Sequence, residues 1–323
     1  MLDKLKYMKE VLAANPYFRE YSPAKQLEIE LRFLVSRIFR GTALIDYAQY
    51  SYFNLSRDGQ KRFIDIRKRR RMIKKMNNPQ KFDLFDSKAL FNQEYSKYIH
   101  RSWLNLETAS FDEFKEFMET AERVFIKPTC GTYGIGISSL DRSEATDLAE
   151  LFREYSGKPY VFEEEVKAYA DLEKFNPTSL NTLRVVTVTV AGKANIFGAV
   201  FRMGRSGSIV DNNHSGGLSA LVDVDTGVIY TTATDQTYGR YVFHPDSGVQ
   251  IVGAKIPCWE EIKEKVCEIA LLNPDVAYVG WDIALDSEGR LELIEGNYSA
   301  DPDVLQKADQ VGKWNRLKQY EQR

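Results

Sequence analysis

The sequence predicts an α+β protein in which a helical N-terminal region precedes a chain of mostly antiparallel strands. Between Pro23 and Phe39, apolar residues recur at the spacing of one helix face. Beyond Val124, short β-branched and aromatic runs alternate with Gly, Asp and Asn turns, as in antiparallel sheets. A further helix, which begins after Pro257, interrupts these runs. Together these observations favour a helical part followed by a sheet-rich part.

Length and composition are those of a folded globular protein. The 323 residues correspond to roughly two domains at about 150 residues each. Hydrophobic residues make up 43% and charged residues 28%, which excludes a disordered or low-complexity chain. The 44 Lys and Arg against 46 Asp and Glu give a net charge of −2, so no overall positive field attracts nucleic acid. We therefore expect no nucleic-acid partner.

Cysteine usage and hydropathy predict a cytoplasmic location. The three cysteines, Cys130, Cys258 and Cys267, have no CxxC spacing, and an odd count does not suit a disulfide framework. The first residues mix charges where a signal peptide has an apolar stretch. No run of 18 apolar residues follows, so we expect no transmembrane segment.

The first eighty residues are predicted to be helical. The apolar residues that share one face of the helix between Pro23 and Phe39 are Leu27, Leu31, Leu34, Val35 and Ile38. The tripeptide Asn77-Asn78-Pro79 then breaks the helical pattern. We place a boundary there, between a helical region at residues 1–80 and a second part at residues 81–323.

A basic run lies within this helical region. Residues 61–75 hold nine Lys or Arg against a single Asp. The run is typical of a solvated helix face whose apolar members, Phe63, Ile64, Ile66 and Ile73, turn inward. A run of this kind can also grip phosphates or an anionic membrane surface, so peripheral membrane contact through residues 61–75 stays open.

The second part begins with a helix and continues as strands. Ser110 and Glu113 have capping-box spacing and begin a helix predicted to reach Val124. The helix after Pro257 carries Ile262, Val266 and Ile269 on one side. The predicted strands between these two helices are VFIKP, IGISSL, YVFEEEV, LRVVTVTV, ANIFGAVFRM, SALVDV and VIYTT.

A glycine-rich stretch follows the first of these strands. Lys127 ends the strand, and Gly131, Gly134 and Gly136 come next. Glycines let backbone N–H groups approach a polyphosphate closely, and a nearby lysine neutralises its charge. The spacing fits neither a dinucleotide fingerprint nor a P-loop, and the glycines lead into a strand where both motifs need a helix. We predict a β-hairpin flap over nucleotide phosphates.

Residues 279–297 read as two strands joined by the turn Asp286-Ser-Glu-Gly289. If the connection has four residues, Leu285 pairs with Arg290 and Asp282 pairs with Leu293. Glu295 and Asn297 then share the face of Asp282, because side chains in a strand alternate with a period of two. Two carboxylates and an amide oxygen on one face suit magnesium. A connection with an odd number of residues would separate Asp282 from the other two.

Two further stretches carry candidate binding groups. The strand Tyr160 to Val166 ends in three acidic residues, and free backbone groups at its end can pair with an adenine edge. Arg184 and Arg202 lie on later strands, near a polar segment at residues 211–217. Arginines at such positions either form structural ion pairs or bind anionic oxygens.

The order of these stretches resembles the ATP-grasp superfamily, and more narrowly the sugar-transfer-associated ATP-grasp family. The resemblance runs from about residue 80 to the C-terminus, and its order and spacing are more specific than any single motif. The matching stretches are Asp86-Ser-Lys88, Arg101-Ser-Trp103, Ile126-Lys-Pro128, Asn181-Thr-Leu-Arg184, Phe201-Arg202-Met-Gly204, Asp211 to Gly217, Gly280-Trp-Asp282-Ile and Ile294-Glu-Gly-Asn297.

The resemblance implies an ATP-grasp fold with two α+β lobes that clamp ATP, a small lobe at about 81–167 and a large lobe at about 168–323. It implies that the residues contacting the nucleotide are Lys88, Lys127, Gly131, Thr132, Gly134, Gly136, Glu163, Glu164, Val166 and either Asp171 or Glu173. It implies Asp282, Glu295 and Asn297 as ligands of two Mg²⁺ ions, with Mn²⁺ as an alternative. The catalytic residues that it implies are Arg184, Arg202, Asn212 and His214.

The activity implied is that of an ADP-forming carboxylate–amine ligase with an acyl-phosphate intermediate. The family name suggests an amide that joins an amino acid to an amino or uronic sugar during surface polysaccharide synthesis. A kinase that phosphorylates a small hydroxyl or carboxylate compound would use the same ATP site. A third hypothesis is a membrane-surface or nucleic-acid adaptor built on a decayed nucleotide fold, in which the basic run 61–75 binds the partner.

Overall fold

The computed structural model describes residues 2–131, 136–207 and 216–321. Its N-terminal region is helical, as predicted. The helices are α1 (Leu2–Ala14), α2 (Pro16–Arg19), α3 (Pro23–Arg40), α4 (Leu44–Gln49), α5 (Arg57–Lys61) and α6 (Ile66–Met76). They enclose a small core of their own, with Leu12, Phe18, Phe33, Tyr47 and Phe53 among its buried members.

Helix α3 forms where the apolar periodicity predicts it, but of its predicted apolar stripe only Leu34 packs against the core. Ser22 caps its start, and Gly41, in a left-handed conformation with φ 57°, ends it. The buried face carries Ile29 and Phe33. The helix is therefore apolar on two sides, and its periodicity alone does not determine which side packs against the core.

The basic run 61–75 spans the last residue of α5, the connection at 62–65 and most of α6. The Asp65 side chain accepts hydrogen bonds from the backbone N–H groups of Arg67 and Lys68 and caps the helix. Phe63 and Ile64 are buried as predicted, whereas Ile66 is exposed. The prediction for Ile66 is wrong because this residue, the first of α6, lines a cleft instead of packing into a core.

The next stretch of chain builds a four-stranded antiparallel sheet in the order β1-β4-β2-β3. Its elements are α7 (Phe82–Asp86), α8 (Lys88–Glu94), β1 (Trp103–Asn105), α9 (Phe111–Thr120), β2 (Arg123–Pro128), β3 (Ser138–Asp141), α10 (Leu148–Tyr155) and β4 (Tyr160–Glu164). The capping box of Ser110 and Glu113 is present. Helix α9 ends at Thr120 instead of Val124, because Val124 is taken up by β2.

The rest of the chain builds a seven-stranded antiparallel sheet in the order β11-β10-β5-β6-β7-β8-β9. Its elements are α11 (Ala170–Glu173), β5 (Thr182–Val190), β6 (Lys193–Met203), β7 (Leu218–Val222), β8 (Ala233–Thr234), β9 (Arg240–Tyr241), α12 (Trp259–Leu272), β10 (Tyr278–Leu285), β11 (Leu291–Asn297) and α13 (Trp314–Glu321). The segment VIYTT is not a strand. It makes only isolated bridges, Val222 with Ile229 and Val228 with Lys255.

Helix α12 covers one face of the seven-stranded sheet. Ile262, Val266 and Ile269 are fully buried there, as the sequence predicts. They belong to the main hydrophobic core, which also contains Trp281 and Phe201 from the strands. None of the described helices is long and apolar enough to cross a membrane.

Asn77 fastens the end of the helical region to the seven-stranded sheet. Its side-chain amide donates to the carbonyl oxygens of Tyr278 and Tyr298, each at 2.8 Å, and its carbonyl oxygen accepts from the backbone N–H of Tyr278 at 2.8 Å. Asn77 is 3% exposed. The tripeptide that breaks the helical pattern therefore also joins two parts of the molecule.

We predict that Asn77→Ala lowers the free energy of unfolding by about 2 to 4 kcal/mol, because it leaves buried backbone groups without partners. Urea unfolding followed by circular dichroism measures the change. Asn78→Ala is the matched control, since it removes only a local cap on Gln80 and should cost about 1 kcal/mol or less. Equal losses in the two variants would contradict the role given to Asn77.

Candidate active site

A cleft of about 2280 Å³ lies between the two sheets and extends to the N-terminal helices. Most of the predicted site residues within the described chain line it. Those residues are Lys88, Lys127, Gly131, Glu163, Glu164, Val166, Arg184, Arg202, Asp282, Glu295 and Asn297. The fold thus brings together groups that lie up to 209 residues apart in the sequence.

The hairpin of β10 and β11 places Asp282, Glu295 and Asn297 on one face, but not by the predicted register. Leu285 pairs with Leu291, so the connection has five residues, and Asp282 pairs directly with Glu295. A β-bulge at Ile294 shifts the register by one residue between these pairs. The odd connection and the bulge compensate each other. The predicted pairing is therefore wrong, whereas the predicted shared face is right.

Two arginines hold the Asp282 carboxylate. Arg184, directly opposite Asp282 on β5, donates to both of its oxygens, one of them from Nη2 at 2.6 Å. Arg202 on β6 donates to Oδ2 at 2.8 Å. Burial alone would raise the pKa of Asp282, but the two guanidinium groups hold that pKa well below its usual range. Asp282 is therefore ionised at neutral pH, and it fixes both arginines in place.

Glycine at position 280 allows this arrangement. Gly280 lies opposite Asn297 in the hairpin and two residues before Asp282. A Cβ atom at this position would lie 2.8 Å from Cδ of Arg184 and 2.6 Å from Cβ of Ala300. The absence of a side chain lets the Arg184 side chain lie across the strand towards Asp282.

Glu295 faces the cleft beside this ion cluster. Its side chain is 52% exposed, because about half of it faces the open cleft. The other half is buried against the protein. This partial burial and the adjacent Asp282 carboxylate raise the pKa of Glu295 to about 7, against the opposing effect of Arg184. Asn297 completes the set, and its side-chain oxygen accepts hydrogen bonds from the N–H and hydroxyl of Ser299.

The chemistry of these donors suits a hard divalent cation. Two neighbouring carboxylates on one strand pair repel each other, and a cation bound between them would relieve that repulsion. Within residues 2–131, 136–207 and 216–321, no three His, Cys, Asp or Glu side chains form a metal-binding group. The set of Asp282, Glu295 and Asn297 has only two such side chains, so the remaining ligands of a magnesium ion would come from water or from a bound substrate.

Lys88 and Lys127 lie across the cleft from the arginines. The backbone N–H of Lys88 donates to the carbonyl of Thr129 at 2.9 Å, which fixes the start of α8 against the end of β2. The Lys88 ammonium approaches the carbonyl of Gly131 at 3.3 Å. Burial lowers the pKa of Lys88, and nearby Lys127 adds to this effect while Glu295 opposes it. The two lysines therefore form a cationic pair.

Arg101 connects the two sheets beneath the cleft. Its guanidinium donates from Nε to Glu163 on β4 at 3.0 Å, and from Nη1 to Glu292 on β11 at 2.5 Å. It also donates to the carbonyl of Leu293 at 2.7 Å. All three charged side chains are at most 3% exposed. The sequence placed Arg101 in a family motif but gave it no role, because only the fold shows its two partners.

Glu163 links this buried ion pair to the cleft. It accepts from Lys127 at 2.5 Å and from the amide of Asn92 at 3.1 Å, in addition to Arg101. Burial alone would raise the pKa of Glu163, but Arg101 and Lys127 hold it well below its usual range. The carboxylate of Glu163 therefore positions Lys127, whereas the contact of Glu163 with a nucleotide stays a prediction.

The remaining predicted residues are placed less uniformly. Asp171 is exposed on α11 and pairs with Lys174 at 3.2 Å, whereas its alternative Glu173 lines the cleft. Gly136 has a φ of 78°, a left-handed conformation that favours glycine, and it lies close to the Pro128 side chain. Thr132, Gly134, Asn212 and His214 lie outside the described residues.

The structure adds cleft residues that the sequence did not single out. Phe125 on β2 and Ile294 on β11 provide apolar walls near the lysines. At its other end the cleft is lined by the N-terminal helices, for example by Leu34, Arg37 and Asp46. No motif marks these positions, and only the packing of the helical region against the sheets could reveal them.

We predict that Arg101→Met lowers the free energy of unfolding by about 3 to 5 kcal/mol, because it leaves Glu163 and Glu292 buried without their counter-charge. Arg123→Met serves as a control in the same sheet. Arg123 pairs with Asp141 and Glu165 at a part-exposed position, so its loss should cost less than about 1 kcal/mol. Similar denaturant midpoints for the two variants would contradict this assignment.

The lowered pKa of Glu163 also predicts a pH dependence of stability. Because this pKa is lower in the folded chain than in the unfolded chain, the stabilisation is complete above about pH 4.5 and declines as the pH falls below that value. Glu163→Gln removes this contribution. We expect the stability difference between the wild type and Glu163→Gln to narrow between neutral pH and about pH 3, as measured by urea unfolding. A difference independent of pH would rule out the ionised Glu163.

The similarity of the chain to known proteins was found in solved structures and in a protein family. No curated protein matches the sequence. Among solved structures, the ATP-grasp ligase PsnB in complex with a minimal precursor is similar, with 14% identity, a TM-score of 0.48 and coverage of 76% of this chain and 64% of that chain. D-alanyl-alanine synthetase A from Vibrio cholerae O1 biovar eltor str. N16961 has 16% identity, a TM-score of 0.41, and coverage of 68% and 57%. This chain thus spans less than two thirds of either structure.

The family comparison is more extensive. Residues 67–322 match the family described as sugar-transfer associated ATP-grasp, which is most of the chain. The match confirms the predicted family and the α+β ATP-grasp fold. The chain therefore belongs to the sugar-transfer associated ATP-grasp family.

Proposed function

We propose that the protein is an ADP-forming ligase that activates a carboxylate with MgATP and joins it to an amine. One observation carries the proposal: a single cleft collects two lysines from one side and an arginine–carboxylate cluster from the other. Lys88 and Lys127 lie beside the four-stranded sheet, and Arg184, Arg202 and Asp282 lie on the seven-stranded sheet. Such a distribution suits a polyphosphate that spans the gap.

The nucleotide would lie along the four-stranded side of the cleft. Lys88 and Lys127 would hold the α and β phosphates, and the glycine segment at residues 131–136 would cover them. The end of β4, from Glu163 to Val166, would contact the adenine through its backbone. Glu173 is better placed than Asp171 to bind the ribose, because only Glu173 lines the cleft.

Asp282, Glu295 and Asn297 would hold the metal ions, two Mg²⁺ or Mn²⁺ by the resemblance to the family. When bound, the metal neutralises charge on the phosphoryl oxygens. The arginines would do the same from the protein side. Arg184 and Arg202 are already oriented by Asp282, so they need little rearrangement to face charge that develops on the transferred phosphoryl group.

The reaction would proceed in two steps. A carboxylate oxygen attacks the γ-phosphorus, the bond to the β-phosphate bridging oxygen breaks, and ADP and an acyl phosphate form. An amine nitrogen then attacks the acyl carbon, and inorganic phosphate leaves as the amine loses a proton. The chain supplies charged groups, orients the substrates and excludes water, and no nucleophilic side chain is required. Asn212 and His214 are proposed to contact the acyl phosphate and the acceptor.

The cleft leaves room for acceptor substrates. Pockets for a single small molecule typically have volumes of about 300 to 1000 Å³. The cleft of about 2280 Å³ is larger and reaches the N-terminal helices, so a nucleotide would fill only part of it. We propose an amino acid and an amino or uronic sugar as substrates, in the synthesis of a surface polysaccharide. The family description supports the sugar.

We predict that ADP release from MgATP depends on both a carboxylate and an amine in a panel of amino acids and amino or uronic sugars. Glu295→Gln should lower kcat/KM by about 100-fold or more, because it weakens metal binding and charge neutralisation. Glu288→Gln is the matched control, since Glu288 is an exposed residue of the β10–β11 connection and pairs with the exposed Arg290. This control should keep wild-type activity.

The same assay distinguishes the alternative of a kinase. ADP release with a hydroxyl or carboxylate compound alone, with a stable phosphorylated product, would identify a kinase. Turnover that survives Glu295→Gln undiminished would refute the proposed metal site. Asp282→Asn is a second test of that site. Circular dichroism would verify that this variant still folds although its ion cluster has changed.

A further inference from the structure

Helix α3 exposes a continuous apolar surface to solvent. We define the outer stripe as the exposed apolar side chains of α3, which are Leu27, Leu31, Val35, Ile38 and Phe39. Ile38 and Phe39 are 75% and 79% exposed, and the other three are more than half exposed. Their spacing puts them on one side of the helix, opposite the buried Ile29 and Phe33. When a helix is apolar on two opposite sides, both sides are normally packed against another apolar surface.

Basic side chains border one end of the outer stripe. Arg40 ends α3, and the guanidinium of Arg67 lies against Gly41, where a Cβ atom would be only 1.6 Å from it. This contact places the start of α6 beside the most exposed part of the stripe. Helix α6 also exposes Arg70 and Arg71. The apolar stripe and the basic helix therefore meet at the C-terminal end of α3.

Charge is distributed unequally along the whole chain. Residues 1–80 contain 18 Lys and Arg and 8 Asp and Glu, a net charge of +10, and the rest of the chain carries −12. The overall charge of −2 conceals this asymmetry. A strongly cationic region that also exposes an apolar stripe is complementary to a surface with anionic headgroups over an apolar interior.

The outer stripe also lies next to one end of the cleft. Leu34 and Arg37, which line the cleft, are on α3 between members of the stripe. The exposed residues Leu5 and Ile45 line the same end, so the cleft reaches the surface there. A surface that covered the stripe would therefore lie beside this opening.

We propose that the outer stripe and the basic side chains of α6 dock the protein on an anionic phospholipid membrane. The apolar side chains would enter the boundary between headgroups and acyl chains, and the arginines would contact lipid phosphates. The docking is peripheral. It concerns a surface separate from the nucleotide site, so it can be tested without any assay of catalysis.

The test is co-sedimentation of the full chain with phosphatidylcholine vesicles, with and without phosphatidylglycerol. We expect binding only with phosphatidylglycerol, and weaker binding as salt rises. The double variant Ile38→Ser, Phe39→Ser should weaken binding about tenfold or more, and Arg70→Glu, Arg71→Glu should weaken it similarly. All four side chains are exposed, so both variants should fold, as circular dichroism would verify.

Matched controls come from exposed residues elsewhere. Leu272→Ser on α12 removes an exposed apolar side chain and Arg153→Glu on α10 reverses an exposed charge, and both should bind as the wild type does. Equal affinity for both kinds of vesicle, or undiminished binding by the stripe variant, would overturn the proposal. It would also be overturned by a dimer that the stripe variant dissociates, or by binding of RNA without binding of vesicles.

Discussion

The arrangement of the cleft depends on one buried arginine. Arg101 holds Glu163 of the four-stranded sheet and Glu292 of the seven-stranded sheet at the same time, with all three side chains almost inaccessible to water. Removing either carboxylate from the interior would leave the guanidinium without full compensation. Because Glu163 also binds Lys127, the arginine determines both the spacing of the sheets and the position of a cation in the cleft.

On the other side of the cleft, one buried charged group again binds two partners of opposite charge, but the signs of the charges are reversed. There a buried carboxylate, Asp282, holds two arginines, whereas below the cleft a buried arginine holds two carboxylates. In each case the central group is fully ionised because its partners offset the loss of water. The groups that face the open cleft are therefore positioned before any ligand arrives, which reduces the rearrangement that a polyphosphate would require.

Local patterns in the sequence predict the antiparallel strands, helix α12 and the capping box of Ser110, because each follows from periodicity and spacing. Other features depend on distant parts of the chain. The face on which α3 packs, the partners of Arg101 and the helical end of the cleft are decided by tertiary contacts. The register of β10 and β11 was mispredicted because a bulge has no clear sequence signal, although the bulge restored the predicted common face of Asp282 and Glu295.

The bulge at Ile294 has a mechanical consequence. In a regular strand Glu292 and Glu295 would point to opposite sides of the sheet, because their separation is odd. The extra residue turns both to the same side, as their partners Ala284 and Asp282 show. One short segment thus carries the anchor of Arg101 and a carboxylate of the cleft. The position of Arg101 and the geometry of the cleft carboxylates are therefore linked through three residues of β11.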